Sequence, residues 1–379
     1  MSQNKKKRKI RTAFRKNRQV RVRDHGLTQQ FERDAIDGDD EVREERITGK
    51  GELVRKRTVI GEVVDEGETG FQVQLDVDMD VCRAGRVLQV NGLVSTVCAD
   101  DGTVLQCGVR RLLKTLSTSQ RHVVAAGDRV LFRPEGEEGT IERVEPRRHV
   151  LSRMSRGQQH LLVANVDQIL IVASAAEPDI KPHLIDRYLV TAEKSEMRPI
   201  ICINKMDLID PVALQPLIGV YAQMGYEVLQ VSAETGRNLP QLKECLRDCE
   251  TVVAGQSGVG KSTLLNAIQP GLNLRTRAVS ADTEKGQHTT TTAVLYPLAF
   301  GGFVVDTPGI RQFQLWDVIP EEVPGFFRDI RPYVSFCRFP NCSHTHESDC
   351  SVKDAVADGR LDLRRYESYC HMLENEHLR

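Results

Sequence analysis

A glycine-rich segment near the middle of the chain constrains the fold more than any other feature. Residues 255–262 read Gly-Gln-Ser-Gly-Val-Gly-Lys-Ser, after the apolar run 252–254 and before 263–266, which continues as a helix-like segment. In the pattern G-x-x-x-x-G-K-[ST], backbone N–H groups and the N-terminus of the following helix face phosphate oxygens. We therefore predict a strand–loop–helix unit that binds phosphates, with Lys261 reaching the β- and γ-phosphates.

Three more segments complete a guanine-nucleotide site, but they stand in an unusual order. The tetrapeptide 204–207, Asn-Lys-Met-Asp, and the pair 232–233, Ser-Ala, come before the glycine-rich loop, while 306–309, Asp-Thr-Pro-Gly, comes after it. In most GTPases the Asn-Lys-x-Asp motif follows the loop. Because every part is present, the order predicts a circularly permuted domain, which is tolerated when the natural termini lie close together on the surface.

Asp207 predicts the choice of base. Its carboxylate can accept from guanine N1–H and the 2-amino group together, and adenine has neither donor, so we expect GTP rather than ATP. An unpaired buried polar group costs about 1–3 kcal/mol, which makes such discrimination strong. Asn204 and Lys205 are expected to brace the base and the loop. The predicted GTP-binding residues are Asn204, Lys205, Met206, Asp207, Ser232, Ala233, Gly255, Gln256, Ser257, Gly258, Val259, Gly260, Lys261, Ser262, Thr263 and Gly309.

Magnesium is expected beside the phosphates. The Ser262 hydroxyl would bind Mg²⁺, and Asp306, which ends the apolar run 303–305, would hold the ion directly or through water. A switch loop should lie at 285–292 and supply a threonine to the ion. Four threonines stand in a row at 289–292, and the sequence leaves open which of them is the ligand.

The residue that activates water is the least defined part of the site. Many GTPases place a glutamine after the Asp-x-x-Gly motif, but this chain has Ile310, which cannot orient water. Hydrolysis is then either intrinsically slow or assisted by another group. His288 is a candidate, because a neutral imidazole can orient or accept from water near pH 7. The alternative is that His288 is an exposed loop histidine.

A cysteine–histidine cluster predicts a second site near the C-terminus. Cys337, Cys342, His344 and Cys350 fall within fourteen residues. Three thiolates and one imidazole close a tetrahedral Zn²⁺ site with no open position, which is typical of a structural metal. His346 is a rival ligand, and a disulfide pair is the alternative. Since no signal peptide opens the chain and a nucleotide site belongs where GTP is, we expect a reducing cytoplasm, which favours the metal.

The N-terminal region is strongly and locally charged. A basic tract fills the first 24 residues against a single acid, Asp24, and an acidic stretch at 34–45 follows it, although the formal net charge of the whole chain is −1. With little apolar content, we expect residues 1–56 to be a flexible extension that binds polyanions or serves only solubility. No amphipathic anchor, lipidation signal or long apolar segment predicts a membrane.

Three folded units are predicted after this extension. The runs 58–64, 85–90, 93–97 and 128–132 are rich in β-forming residues, and turn signals separate them. They predict an OB-fold-like barrel at 57–155, either binding RNA through Arg110, Arg111, Lys114 and Arg129 or serving as a spacer. Alternating strands and helices predict a mostly parallel sheet with flanking helices, the permuted GTPase domain, at 156–315. A zinc-binding helical module is expected at 316–379.

These motifs together resemble the ribosome small-subunit-dependent GTPase A (RsgA/YjeQ) family. The resemblance covers about 57–379 and includes 286–290, Gly-Gln-His-Thr-Thr, the isoleucine after 306–309, and 365–369, Arg-Tyr-Glu-Ser-Tyr. It implies an OB-fold, a GTPase core and a zinc domain. It also implies late assembly of the bacterial 30S subunit, which stimulates the GTPase activity. In that family the histidine matching His288 is the catalytic candidate and the threonine matching Thr290 is the switch residue that completes the Mg²⁺ shell.

The resemblance leaves two points to the residues themselves. The basic and acidic N-terminal extension is longer than the family pattern, so nothing is carried over to it. We expect a cytoplasmic monomer whose partners are GTP or GDP and the 30S subunit, through 16S rRNA and its proteins. The alternative is a GTP-switched module that binds another RNA and hydrolyses GTP incidentally.

Overall fold

The computed structural model describes residues 8–13, 56–63, 73–115, 123–155, 158–274, 293–306 and 318–377. These residues form a small N-terminal sheet, a closed barrel, a larger mixed sheet flanked by helices, and a helical C-terminal module. None of the helices within these ranges is both long and apolar enough to cross a membrane.

The N-terminal sheet departs from the prediction at two points. It consists of β1 (Arg8–Ala13), β2 (Lys56–Val63) and β3 (Val73–Leu75), paired antiparallel in the order β1-β2-β3. The run at 58–64 was predicted to be a barrel strand, but β2 pairs only outside the barrel. Part of the predicted flexible extension is also a strand, because β2 supplies the hydrogen-bonding partner that β1 lacks alone.

The barrel has the strand order of an OB-fold-like architecture. Its strands are β4 (Arg83–Asn91), β5 (Val94–Ala99), β6 (Val104–Val109), β7 (Arg129–Glu135) and β8 (Glu138–Val144), and helix α1 (Arg111–Thr115) follows β6. They close in the order β4-β5-β6-β8-β7, with β6 and β8 parallel and β7 returning to β4. Closure removes exposed sheet edges, and alternate residues such as Val87, Val97 and Phe132 fill the interior.

A β-hairpin lies between the barrel and the larger sheet. It is formed by β9 (Val150–Ser155) and β10 (Gln158–Ala164), which pair antiparallel. The Ala164 N–H donates to the carbonyl of Ala126 at 2.9 Å, so the hairpin is tied to the barrel side. The predicted boundary between 155 and 156 falls at the tip of this hairpin.

The larger sheet is mostly parallel. It contains β11 (Gln168–Ser174), β12 (Arg198–Asn204), β13 (Glu227–Gln230), β14 (Glu250–Ala254), β15 (Val294–Pro297) and β16 (Phe303–Asp306). The order is β13-β12-β11-β14-β16-β15, and only β15 runs antiparallel to its neighbour. Every residue of β11 is buried, because helices cover both faces of a parallel sheet.

Within the described ranges, four helices cover this sheet. They are α2 (Pro182–Lys194), α3 (Gln215–Gln223), α4 (Leu239–Leu246) and α5 (Lys261–Ile268), with short 3₁₀ turns at Pro211–Leu214 and Pro270–Leu272. Helix α2 begins at Pro182, where the first helical position needs no backbone donor. Ile185 and Leu189, one turn apart, then face one core of the sheet, while Leu242 of α4 and Leu264 of α5 belong to the other core.

The C-terminal module is built from short helices around its own apolar core. Its helices are α6 (Val323–Phe326), α7 (Arg331–Val334), α8 (Ser351–Ala357) and α9 (Leu363–His377). Phe327, Ile330, Val352 and Tyr369 are buried in that core. One residue of the core, Val190, comes from α2, so the module and the sheet region share a helix.

Candidate nucleotide site and metal centre

The predicted phosphate loop joins β14 to α5, as expected. Both of its outer glycines are required by their surroundings. A Cβ on Gly255, whose φ is +143°, would lie 2.1 Å from the Val172 carbonyl oxygen, and one on Gly260, whose φ is +89°, would lie 2.6 Å from Asn204 Nδ2. Glycine alone tolerates these backbone angles at such close approach. The loop is therefore held between β11 and the end of β12.

The loop presents its polar groups to the surface. Val259 is buried and anchors the loop, whereas Ser257 and Gly258 are exposed. The Lys261 ammonium donates to the carbonyls of Gly255 at 2.8 Å and Gln256 at 2.7 Å. Ser262 and Thr263 lie in the first turn of α5, which has no side-chain cap, so its first N–H groups can face an anion.

Asn204 joins the three parts of the predicted nucleotide site. It is buried at the end of β12, and its amide donates to the Val259 carbonyl at 3.0 Å while accepting from the Ala233 N–H at 3.2 Å. One side chain thus fixes the phosphate loop relative to the 232–233 segment. This bridge could be expected from the motif, but the sequence alone does not identify the two backbone partners.

Asp207 is exposed and held in a fixed orientation. Its carboxylate accepts a hydrogen bond from the Ser232 hydroxyl, and Ser232 is fully buried. Lys205 has a left-handed backbone, with φ of +62°, and its ammonium donates to the Glu177 carbonyl. Met206 is buried beneath them. The arrangement leaves a carboxylate at the surface beside the Ser232-Ala233 backbone.

The predicted catalytic segment is only partly described. Asp306 ends β16, whose neighbour β14 leads directly into the phosphate loop, and the register pairs Val252 with Val305. The parallel pairing therefore brings the end of β16 to the same sheet edge as the loop. The predicted residues His288, Thr290 and Gly309 lie outside the described residues.

The cysteine–histidine cluster is assembled in the C-terminal module. The ligand atoms of Cys337, Cys342, His344 and Cys350 all lie within 4.8 Å of one another. Cys337 Sγ is 3.3 Å from His344 Nδ1 and 3.9 Å from Cys350 Sγ. Ligand atoms at about 2.0–2.3 Å from a tetrahedral ion stand roughly 3.4–3.8 Å apart, so the spacing fits one metal ion. These four residues could therefore hold a metal.

Hydrogen bonds around the cluster select His344 over its rival. The Tyr366 and Tyr369 hydroxyls donate to the carbonyls of His344 at 2.8 Å and Ser343 at 2.7 Å, and both tyrosines belong to α9. His344 is buried, whereas the His346 side chain is 82% exposed and outside the cluster. The backbone, held by α9, therefore turns His344 toward the thiols.

Burial sets the protonation of the cluster. It raises the pKa of the Cys342 thiol to about 12 and also raises the pKa of Cys350, while it lowers the pKa of His344. A metal ion binds thiolate and neutral imidazole, so it would have to displace the thiol protons. Metal affinity at this cluster is therefore expected to rise with pH.

Two of the four basic residues predicted for the barrel face lie beside carboxylates. Arg110 is paired with Glu142 at 2.8 Å, and Arg129 lies 3.8 Å from Glu250 at the start of β14. Glu142 belongs to barrel strand β8, whereas Glu250 belongs to the larger sheet, and the side chains of Arg110 and Arg129 remain 42% and 50% exposed. Arg111 remains exposed, and the side chain of Lys114 lies outside the described residues.

Sequence reasoning gave no role to three residues that link the C-terminal module to the nucleotide region. Asp186 and Tyr188 of α2 are buried, and so is Arg365 of α9, which binds Asp186. Charged residues within helices carry no local sign of burial, so only the segment 365–369 marked this region in advance.

The fold and the site together define the class of protein: a P-loop GTPase whose motifs stand in permuted order. A model of the family described as RsgA GTPase matches residues 144–316. A relative described as "Small ribosomal subunit biogenesis GTPase RsgA", from Chlorobaculum parvum, is 39% identical over 310 residues, which cover 78% of this chain and 99% of that protein. The chain belongs to the RsgA GTPase family and is a GTP-hydrolysing enzyme.

Two solved structures agree with this assignment. The crystal structure of YjeQ from Thermotoga maritima matches with a TM-score of 0.63 and 36% identity, over 78% of this chain and 98% of that one. YloQ, described as a circularly permuted GTPase, matches with a TM-score of 0.62 and 31% identity, over 80% and 99% of the two chains. The permuted order predicted from the motifs is therefore shared with a solved relative.

Proposed function

We propose that this GTPase binds the 30S ribosomal subunit and assists its late assembly, hydrolysing GTP to GDP and phosphate. The observation that carries the nucleotide part is the bridge made by Asn204, which joins the phosphate loop to the Ser232-Ala233 segment beside Asp207. The ribosomal part is supported by the relative from Chlorobaculum parvum, whose name assigns it to small-subunit biogenesis.

The proposed GTP site extends from Asp207 to the first turn of α5. Asp207 would accept from the guanine N1–H and 2-amino groups while the Ser232 hydroxyl keeps its carboxylate oriented. The phosphates would lie on backbone N–H groups within 255–262. Lys261 would exchange its two carbonyl acceptors for phosphate oxygens, because a charge-assisted hydrogen bond to an anion is stronger than one to a neutral carbonyl.

Magnesium and water activation complete the proposed mechanism. Ser262 in α5, Asp306 at the end of β16 and Thr290 of the switch loop would hold Mg²⁺, which neutralises charge on the phosphates. Gly309 would offer its N–H near the γ-phosphate. His288 would orient the attacking water, since Ile310 cannot.

The metal of the C-terminal cluster is proposed to be one structural Zn²⁺ bound by Cys337, Cys342, His344 and Cys350. Three thiolates with one imidazole are a donor set typical of zinc, and they leave no position for substrate. The ion would hold the 337–350 segment against the tyrosines of α9.

The proposed arrangement of the chain has an OB-fold-like barrel at 57–155, the GTPase domain at 156–315 and the zinc module at 316–379. Because ribosome assembly takes place in the bacterial cytoplasm, we place the protein there. We also propose that it acts as a monomer. The charged N-terminal region, of which β1 is part, would add affinity for rRNA through its basic tract.

A hydrolysis assay tests the proposal. GTP turnover should rise at least about tenfold when purified 30S subunits are added, because the subunit would order the switch loop around Mg²⁺. Lys261→Ala should abolish turnover with and without subunits, and His288→Ala should lose only the stimulated rate. Stimulation by protein-free RNA equal to that by 30S subunits would favour a GTP-switched module acting on another RNA. Absence of stimulation by either would contradict the ribosomal proposal.

A further inference from the structure

Helix α2 belongs to two apolar cores at once. Ile185, Tyr188 and Leu189 pack in the core of the large sheet, while Val190 packs in the core of the C-terminal module. A helix buried on two sides cannot shift relative to one body without disturbing its contact with the other, because packed interiors have few voids. Displacement of the C-terminal module should therefore shift the side of α2 that packs against the sheet.

A buried ion cluster fixes the module to α2. Arg365 of α9 is 2% exposed and binds the carboxylate of Asp186, which is fully buried on α2. It also makes two hydrogen bonds to Asp329 of the module, at 2.9 and 3.0 Å. The guanidinium lies 4.5 Å from the centre of the Phe327 ring. The planar guanidinium thus holds a helix of the sheet region and two residues of the module in one geometry.

The opposite side of α2 touches the phosphate loop. Tyr188 is two positions from Asp186, so the two side chains point about 160° apart around the helix. Tyr188 lines one small cavity together with Gln256 and Val259 of the phosphate loop. The backbone of Gly255, the first loop residue, offers a hydrogen bond that lowers the pKa of the Tyr188 phenol, against the larger rise caused by burial. Gly255 is packed closely against β11, since a Cβ there would lie 2.1 Å from the Val172 carbonyl oxygen. Its own carbonyl accepts from Lys261 at 2.8 Å.

We propose that Arg365 is a positioning residue for nucleotide binding: by fixing α2 to the C-terminal module, it holds Tyr188 against Gly255 of the phosphate loop. This inference rests on the proposed assignment of 255–262 to the nucleotide phosphates. Because such coupling is reciprocal, nucleotide on the loop strengthens the attachment of the module to α2. The module is thereby linked to the nucleotide through a helix that precedes the loop in the permuted chain.

Nucleotide affinity in a double-mutant cycle tests the link. GDP dissociation constants are measured for the wild type, Arg365→Lys, Tyr188→Phe and the double variant, each checked for retained metal and native circular dichroism. Each single change is expected to weaken GDP binding by about fivefold, and the double variant by no more than about fivefold to tenfold, because both changes break one chain of contacts. The matched control is Arg364→Lys, which alters an arginine on the solvent-facing side of the same helix and is expected within twofold of the wild type.

Hydrogen exchange gives a second readout that does not depend on altering the buried cluster. GDP should slow amide exchange in α9 of the wild type and leave it unchanged in Tyr188→Phe. Arg365→Lys with wild-type GDP affinity, multiplied effects in the double variant, or equal protection of α9 in wild type and Tyr188→Phe would each overturn the proposal. Failure of the wild type to bind any guanine nucleotide would instead overturn the proposed function itself.

Discussion

Two buried arginines join the flanking regions to the GTPase sheet, and their charges are balanced in opposite ways. Arg86 of barrel strand β4 binds one carboxylate, Glu250 at the start of β14, and a second cation, Arg129, lies 3.8 Å from the same carboxylate. Arg365 of α9 instead binds two carboxylates. The barrel joint therefore has two cations for one carboxylate, and the C-terminal joint has two carboxylates for one cation.

The pKa values follow this difference. Burial first, and then the nearby charge of Arg129, lower the pKa of Arg86 to about 10. Burial also acts against the charge of Arg365, but Asp186 and Asp329 outweigh it, so the pKa of Arg365 is raised. At the barrel contact, loss of one of the two cations should therefore be tolerated better than loss of the single carboxylate. At the C-terminal contact, loss of one of the two carboxylates should be tolerated better than loss of the single cation.

The largest expected effect distinguishes the two joints by their dependence on metal. Cys342→Ala should lose the zinc ion. Because metal binding and folding are linked, the C-terminal module should then become less stable. Zinc binding contributes about 10–16 kcal/mol of apparent free energy in small zinc peptides. Metal analysis and hydrogen exchange measure both. Exchange should accelerate in α8 and α9 but stay unchanged in barrel strands β4–β8.

A matched control lies on α9 itself. Cys370 is outside the cluster, so Cys370→Ala should keep one zinc per chain. Equal zinc in wild type and Cys342→Ala, or no zinc in carefully prepared wild type, would remove the metal from the account.

The next effect concerns the single cation of the C-terminal joint. Arg365→Met leaves the fully buried Asp186 without its cation, which should cost about 3–5 kcal/mol in the free energy of unfolding. Denaturant titration measures the cost. Arg364→Met removes a neighbouring arginine whose partner, Asp362, is at the surface, and it should cost no more than about 0.5 kcal/mol. Equal losses of stability in the two variants would mean that the buried ion cluster stabilises the fold no more than a surface ion pair does.

Removal of a carboxylate should destabilise the barrel contact more than the C-terminal contact, the reverse of the order expected for removal of an arginine. Glu250→Gln removes the one carboxylate that Arg86 and Arg129 share. The change should cost about 2–3 kcal/mol in the free energy of unfolding. Asp329→Asn leaves Arg365 with Asp186 and should cost only about 1 kcal/mol. The same titrations measure both, and a larger loss in Asp329→Asn than in Glu250→Gln would break the comparison.

Among the two buried arginines, the smaller effect is expected where a second cation can take over. Arg86→Met removes the hydrogen bond to the Gly127 carbonyl, made at 2.8 Å, but leaves Arg129 beside Glu250. The expected loss is about 1–2 kcal/mol, below that of Arg365→Met. A loss as large as that of Arg365→Met would show that Arg129 does not compensate.

The predictable parts of the fold are those whose structure is determined by short, contiguous segments of the sequence. Residues 255–262 contain their own strand end, turn glycines and helix start, so β14 and α5 appear where the motif placed them. The spacing of Cys337, Cys342, His344 and Cys350 likewise predicted a cluster that the fold assembles. In both cases the chemistry depends on backbone geometry within one loop.

The joints could not be predicted in the same way. Asp186 and Arg365 are 179 positions apart, and nothing local distinguishes them from surface charges on amphipathic helices. The run 58–64 has the composition of a barrel strand, yet β2 pairs with β1 and β3, because composition sets strand propensity and not the choice of partner.

Cosedimentation with ribosomal particles tests the central claim most directly. The protein is mixed with purified 30S subunits, 50S subunits or 70S ribosomes, each in GDP and in a non-hydrolysable GTP analogue, and the bound fraction is measured. We predict binding to 30S subunits alone, stronger with the analogue than with GDP, and no nucleotide dependence for Lys261→Ala. Equal binding to 30S subunits in both nucleotides, or preference for another particle, would contradict the account.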